Sequence, residues 1–155
     1  MFEVLAFVYE NYYSGESCPE AAHLERKLNA VGFESDEIDD ALSWLKGLDS
    51  AAQQCAPQPW LLQPSAGSMR IYPPYEQAHL GAKALGFIRF LDASGVLPAN
   101  MREVVIDRAM AAPGGPVSLD DLKLIVLMVF WSFGQEPGPL ILDELCDDAQ
   151  DRIAH

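Results

Sequence analysis

Positive charge is what this sequence has least of. Its 155 residues include ten Lys and Arg against 23 Asp and Glu, a formal net charge of −13. Affinity for DNA or RNA is built largely from Lys and Arg neutralising phosphates, so a field of this sign argues against direct nucleic-acid binding. The cations are also scattered, with no run beyond Arg26-Lys27. Anionic membrane surfaces are disfavoured for the same reason. Cysteine is scarce too: Cys18, Cys55 and Cys146 form no CxxC pair, and an odd count suits no disulfide framework. Reduced thiols in a cytosol are the expected state. Long apolar runs are missing. The longest, Leu124 to Trp131 (LIVLMVFW), is far shorter than the ~20 residues of a spanning helix and predicts a buried one. The start, MFEVLAFVYENYY, has no basic residues before its apolar run and no small-residue cleavage site, so it predicts a first helix rather than a signal peptide.

The usual catalytic constellations are equally thin. Only His23, His79 and His155 could serve as histidine bases. Cys18 and His23 are five residues apart across a helix start, but an acidic setting opposes the lowered thiol pKa that a nucleophile needs. Zinc would require several closely spaced Cys or His, and none occur. Ser35-Asp-Glu-Ile-Asp-Asp40 lacks the glycine and terminal Glu of an EF-hand loop and reads as helix. Pro113-Gly-Gly-Pro116 follows no strand and lacks the Lys and Ser/Thr of a phosphate loop. No cofactor, no metal and no enzymatic activity are expected.

What is present is an amphipathic helical pattern with clear punctuation. Half the residues are hydrophobic and 21% are charged, an ordinary globular composition. Residues 2–14 form a first helix stopped by Ser14-Gly15. Ser17-Cys-Pro-Glu20 opens a second, with Ala21, Leu24, Leu28 and Val31 inward and Gly32 as its stop. Ser35 caps a third, 35–48, with a core stripe of Ile38, Ala41, Leu42, Leu45 and Leu48 and with Trp44 at its edge. Trp60-Leu-Leu62 and Met69-Arg-Ile-Tyr72, on either side of a Pro/Gly-rich stretch, predict two short strands and a turn. Beyond them come a helix over 75–94 closed by Gly95, one capped by Asn100, one opened by the box Ser118-x-x-Asp121 and ended by Gly134, and a last short helix before an acidic tail.

Three helices followed by a hairpin is the order of a winged-helix domain. The expected fold is therefore mainly α: a winged-helix-like part over 1–72, packed with a C-terminal helical part over 73–155 as one compact unit. The segments MFEVLAFVYENY, GFESDEIDDALSWLKGL, SMRIY, REVVIDRAMA and LDDLKLIVLMVFW, in this order and spacing, resemble the bacterial Smg family. That resemblance implies a bacterial cytoplasmic protein of a single full-length domain and uncharacterised function. It brings no catalytic motif, cofactor or substrate.

The remaining candidates are surfaces. Asp36, Glu37, Asp39 and Asp40 put four carboxylates into five residues of helix 35–48, more than the helix dipole uses. With Trp44 as an edge anchor and Trp60, Arg70 and Tyr72 on the hairpin, they predict a non-enzymatic interaction module. Its expected partner is a basic protein, plausibly one that handles nucleic acid. The rival reading is direct DNA or RNA binding through the hairpin around Arg70. A partner module needs a negative face, and a nucleic-acid binder needs a positive one.

Overall fold

The computed structural model describes residues 1–12, 20–54, 70–139, 141 and 143–145. At its centre lies the most apolar of the described helices, Leu119–Ser132 (α6 in chain order). Its start follows the sequence: the Ser118 hydroxyl accepts the backbone N–H of Asp121 at 3.1 Å, with Asp120 and Asp121 in the first turn. Every side chain from Leu122 to Phe130 is buried, as the apolar run predicts. Four other helices pack around it: α1 (Phe2–Tyr12), α3 (Ser35–Gln54), α4 (Pro74–Ala93) and α5 (Ala99–Ala111). Each fully buried Leu, Ile, Val or Phe is worth about 1.5–3 kcal/mol, so this helix is a principal source of stability. Even Lys123 is drawn in, its ammonium 3.8 Å from Glu144 and 5.9 Å from the centre of the Phe87 ring.

Helix α1 (Phe2–Tyr12) packs on α3 and α6, and α2 (Ala21–Val31) packs on α3. Gly32 ends α2 as expected: at φ 110° its N–H reaches the carbonyls of Leu28 and Asn29, both at 3.2 Å. Helix α3 (Ser35–Gln54) starts at the predicted residue, but Ser35 lies inside it rather than capping it, because the Glu34 carbonyl already accepts the N–H of Ile38 at 3.0 Å. It also continues past Leu48. Ala51, Ala52, Gln53 and Gln54 are strong or adequate helix formers, and Gln53 donates to the Asp49 carboxylate one turn back at 2.9 Å.

Helix α4 (Pro74–Ala93) is sharply bent at Gly81, whose φ of 78° and ψ of 166° lie outside helical space. A straight helix would hold Tyr72 and Arg89 roughly 25 Å apart, yet the Arg89 guanidinium lies 5.4 Å from the centre of the Tyr72 ring. The bend folds the second half of α4 back toward the first. Helix α5 (Ala99–Ala111) begins after Pro98, whose carbonyl accepts the N–H of Arg102 at 2.8 Å. Asn100 is thus inside the helix rather than capping it. Gly134 follows α6 with φ 64°, as its place in the sequence suggests.

The mainly α expectation stands, but the hairpin does not. All regular elements among the described residues are helices, so the winged-helix assignment falls with its wing. The 60–62 run and Met69 lie outside the described residues. Arg70, Ile71 and Tyr72 have no strand partner among the described residues; they lead irregularly into Pro73 and the start of α4. The physical reason is tertiary. Tyr72 turns into the core with 5% of its surface exposed, and Arg70 is taken by carboxylates on α4 and α5. No described helix is long and apolar enough to cross a membrane.

Candidate functional site

Helix α3 presents three different strips. Its inner strip is Ile38, Ala41, Trp44 and Leu48, all buried. The predicted stripe is therefore turned slightly: Leu42 and Leu45 are only half-buried, and Trp44, expected at the edge, has 3% of its surface exposed. The indole N–H donates to the Arg108 carbonyl at 2.9 Å, and Arg108 Nη1 donates back to the Trp44 carbonyl at 3.3 Å. This reciprocal pair clasps α3 to α5. Trp44 is a core residue with a satisfied polar handle, so it cannot anchor a partner.

The second strip is acidic. Asp36, Asp39 and Asp40 are exposed and form no ion pair with any described residue. Glu37 is half-buried, 3.7 Å from the amino group of Met1. Asp36 and Glu37 sit in the first turn, where the helix dipole favours them. Asp39 and Asp40 lie beyond it. Like charges at close helical spacing cost a few tenths of a kcal/mol per pair, on the order of 0.2–0.5.

The third strip lines a cleft of about 890 Å³. Leu42, Leu45 and Leu48 of α3, Ala21 and Leu24 of α2, and Trp131 of α6 line it, with Leu48 shared with the inner strip. Ser43, Lys46, Asp49 and Ser132 supply its polar lining. Sequence reasoning passed over this feature. The signal was there in Leu42 and Leu45, which the stripe holds in excess of what one buried face needs.

Arg70 and Tyr72 do come together, though as a structural clamp. Arg70 Nη1 lies 2.7 Å and Nη2 3.2 Å from the Glu76 carboxylate, and its Nε lies 2.7 Å from Glu103. Glu103 also receives Arg102, which reaches Asp92 at 3.0 Å. The Arg70 guanidinium packs over the Tyr72 ring at 4.7 Å, and that of Arg89 lies 5.4 Å from the same ring centre. Glu76 above all holds Arg70 in its charged form, against the opposing cost of burial. Burial pushes the Tyr72 hydroxyl above its ordinary value, with Arg70 and Arg102 pulling the other way. A guanidinium saturated by two carboxylates has little left to offer a phosphate. Trp60 lies outside the described residues, as does Cys18.

Among the described residues no group of three or more His, Cys, Asp or Glu could hold a metal. His79, one of the three histidines, is engaged at the foot of α5, with Nε2 3.0 Å from the Ala109 carbonyl.

The whole chain, residues 1–155, matches the family described as "Protein of unknown function (DUF494)". It is 56% identical to "Protein Smg homolog" of Methylibium petroleiphilum and 56% identical to that of Leptothrix cholodnii. It is 47% identical to that of Bordetella avium, and all three alignments cover both chains completely. No solved structure matches the chain.

Proposed function

Because the chain belongs to this Smg (DUF494) family, whose function is unknown, we propose from its own surface that it is a non-enzymatic, cytoplasmic interaction module. Its α3 helix offers a negative face to a basic protein partner. One observation carries the reading: Asp36, Asp39 and Asp40 are exposed on one helix with no cation paired to them among the described residues. Local structure accounts for Asp36 and Glu37 through the dipole and the Met1 amino group, but not for Asp39 and Asp40. Charges placed so act chiefly on encounter rate and on rejection of wrong partners. A partner that handles nucleic acid would carry the matching sign.

The test is charge reversal, Asp36→Lys with Asp39→Lys and Asp40→Lys, in the full chain. Folding should be preserved, because all three side chains are exposed. Partners of the wild-type chain would be cross-linked in the native cytoplasm at low and high salt and identified by mass. The reversed chain should lose those that are basic and salt-sensitive. Retention of the same partners at both salt concentrations would reduce the acids to a solvated face.

A further inference from the structure

Beside the clasp of Trp44 and Arg108, helices α3 and α5 leave a crevice of about 200 Å³. Asp40, Ser43, Trp44 and Gly47 share one face of α3, at the spacing of successive helical turns. A Cβ at position 47 would collide with the Arg108 guanidinium, so the glycine makes room for that side chain in the lining. Asp40 and Ser43 line the crevice from α3, and Ala111 and Pro113 line it from the end of α5 and just beyond. Its charges are matched with one exception. Arg108 spends Nε and Nη2 on Asp107, at 3.0 and 2.8 Å, and Nη1 on the Trp44 carbonyl. The Met1 amino group, also in the lining, stands 3.7 Å from Glu37. Asp40 is left with no cation among the described residues. Helix α5 adds to that excess. Of its last four carbonyls, Arg108's takes the indole N–H, and Ala109's meets His79 Nε2 and the amide of Ala112. Those of Met110 and Ala111 receive no donor among the described residues, and the helix dipole is negative at this end.

A crevice so lined favours a cation, and its size favours a narrow one. At about 200 Å³ it falls below the roughly 300–1,000 Å³ of small-molecule pockets. It still exceeds the space of several waters at about 30 Å³ each. We infer that it receives one lysine side chain of the basic partner, with the ammonium against Asp40. The inference rests on the reading above and names the contact by which α3 holds that partner. An ammonium carries three donors in different directions, which suits the Asp40 carboxylate, the Ser43 hydroxyl and a free carbonyl at the end of α5. A guanidinium holds its donors in one plane, which suits a single bidentate carboxylate rather than acceptors on two helices. The lysine stem would lie against Ala111 and Pro113, as such stems cover apolar surface while the charged head stays with polar groups. Asp39 lies roughly 100° around α3 from Asp40, outside the lining, and is left to steer the encounter.

The probe is N-acetyl-lysine methylamide, titrated into the full chain and followed by backbone amide shifts. The shifts should concentrate at Asp40, Ser43 and Ala111 and should saturate. The Nε-acetyl derivative, with the same stem and no charge, should bind at least fivefold more weakly, and so should the arginine counterpart. Asp40→Asn should weaken the lysine compound at least fivefold. Asp36→Asn and Asp39→Asn should each change it less than twofold, because each removes the same charge from the field but none from the crevice. Ser43→Leu fills the crevice without altering charge and should abolish saturable binding. Ala111→Leu narrows it from the other wall and serves the same purpose if Ser43→Leu disturbs the spectrum elsewhere; both positions are exposed. Equal losses from the three acids, shifts spread over the surface, or an arginine compound that binds at least as tightly would overturn the inference. Cross-linked partners that depend on Asp36, Asp39 and Asp40 together but ignore Ser43→Leu and Ala111→Leu would overturn the lysine contact and leave the acidic-face reading standing. Dependence on neither would remove both.

Discussion

Replacing Trp44 by Phe would keep most of the buried ring and remove the indole N–H that the Arg108 carbonyl accepts. A part-buried acceptor would then lack its donor, which costs about 1 kcal/mol, measurable as a lower urea midpoint with an unchanged slope. The acidic strip of α3 should be untouched, so any loss of partner binding by this variant would point to the fold and not to a contact. Why Trp44 reads as a surface residue is a matter of degeneracy. Stripes through 38, 41, 45 and 48 or through 38, 41, 44 and 48 both satisfy a 3.6-residue period, and only α5 decides between them. Tyr72 makes a second case. Its burial favours the neutral phenol, so the folded chain holds that proton above the ordinary value. The resulting stabilisation is complete below the unfolded pKa of about 10 and is lost as pH rises through the higher folded value. Stability should therefore fall on the alkaline side. Tyr72→Phe, which keeps a ring beneath Arg70 and Arg89, should make that fall shallower in thermal melts between neutral and alkaline pH.

At the scale of elements, the bend in α4 depends on one position. Gly81 occupies a φ, ψ combination that is essentially closed to any residue with a Cβ, and a Cβ there would come within 3.4 Å of Pro116. Gly81→Ala should cost about 1–3 kcal/mol by equilibrium unfolding, and it should loosen the contact of Arg89 with Tyr72 on the far side of the bend. Helix stops and starts of this kind were legible where the signal is local. Gly32, Ser118 and Gly134 each do what their neighbours in the sequence suggest, and the apolar run of α6 can only be a buried helix. The segment ending at Tyr72 was misread because short apolar runs flanked by Pro and Gly look the same in a strand and in an irregular approach to a helix. What distinguishes them is Glu76 and Glu103, one of them 33 residues away in the chain, closing on Arg70. The cleft was illegible for a related reason. It exists only where α2, α3 and the end of α6 meet, and no single helix contains it.

For the whole molecule the sign of the field dominates. With −13 formal charges, self-repulsion works against the compact state and screening should relieve it. The opposing effect, screening of the exposed edges of the Arg70 and Arg102 pairs, is worth only about 0–1 kcal/mol per pair. The same field bears on nucleic acid. Five of the ten cations are engaged among the described residues: Arg70 with Glu76 and Glu103, Arg102 with Asp92, Arg108 with Asp107, Lys123 with Glu144, and Lys27 over the ring of Tyr12. Each would have to leave its partner to reach a phosphate, giving up one charge-assisted contact to form another. Non-specific affinity for duplex DNA should accordingly fall below the usual range of about 10⁻⁴–10⁻⁶ M at physiological salt. Fluorescence anisotropy with a labelled duplex should show no change up to the solubility limit of the chain. Micromolar binding that weakens steeply as salt is added would mean that these pairs open, and it would move the functional surface from the acids of α3 to the arginines around Tyr72.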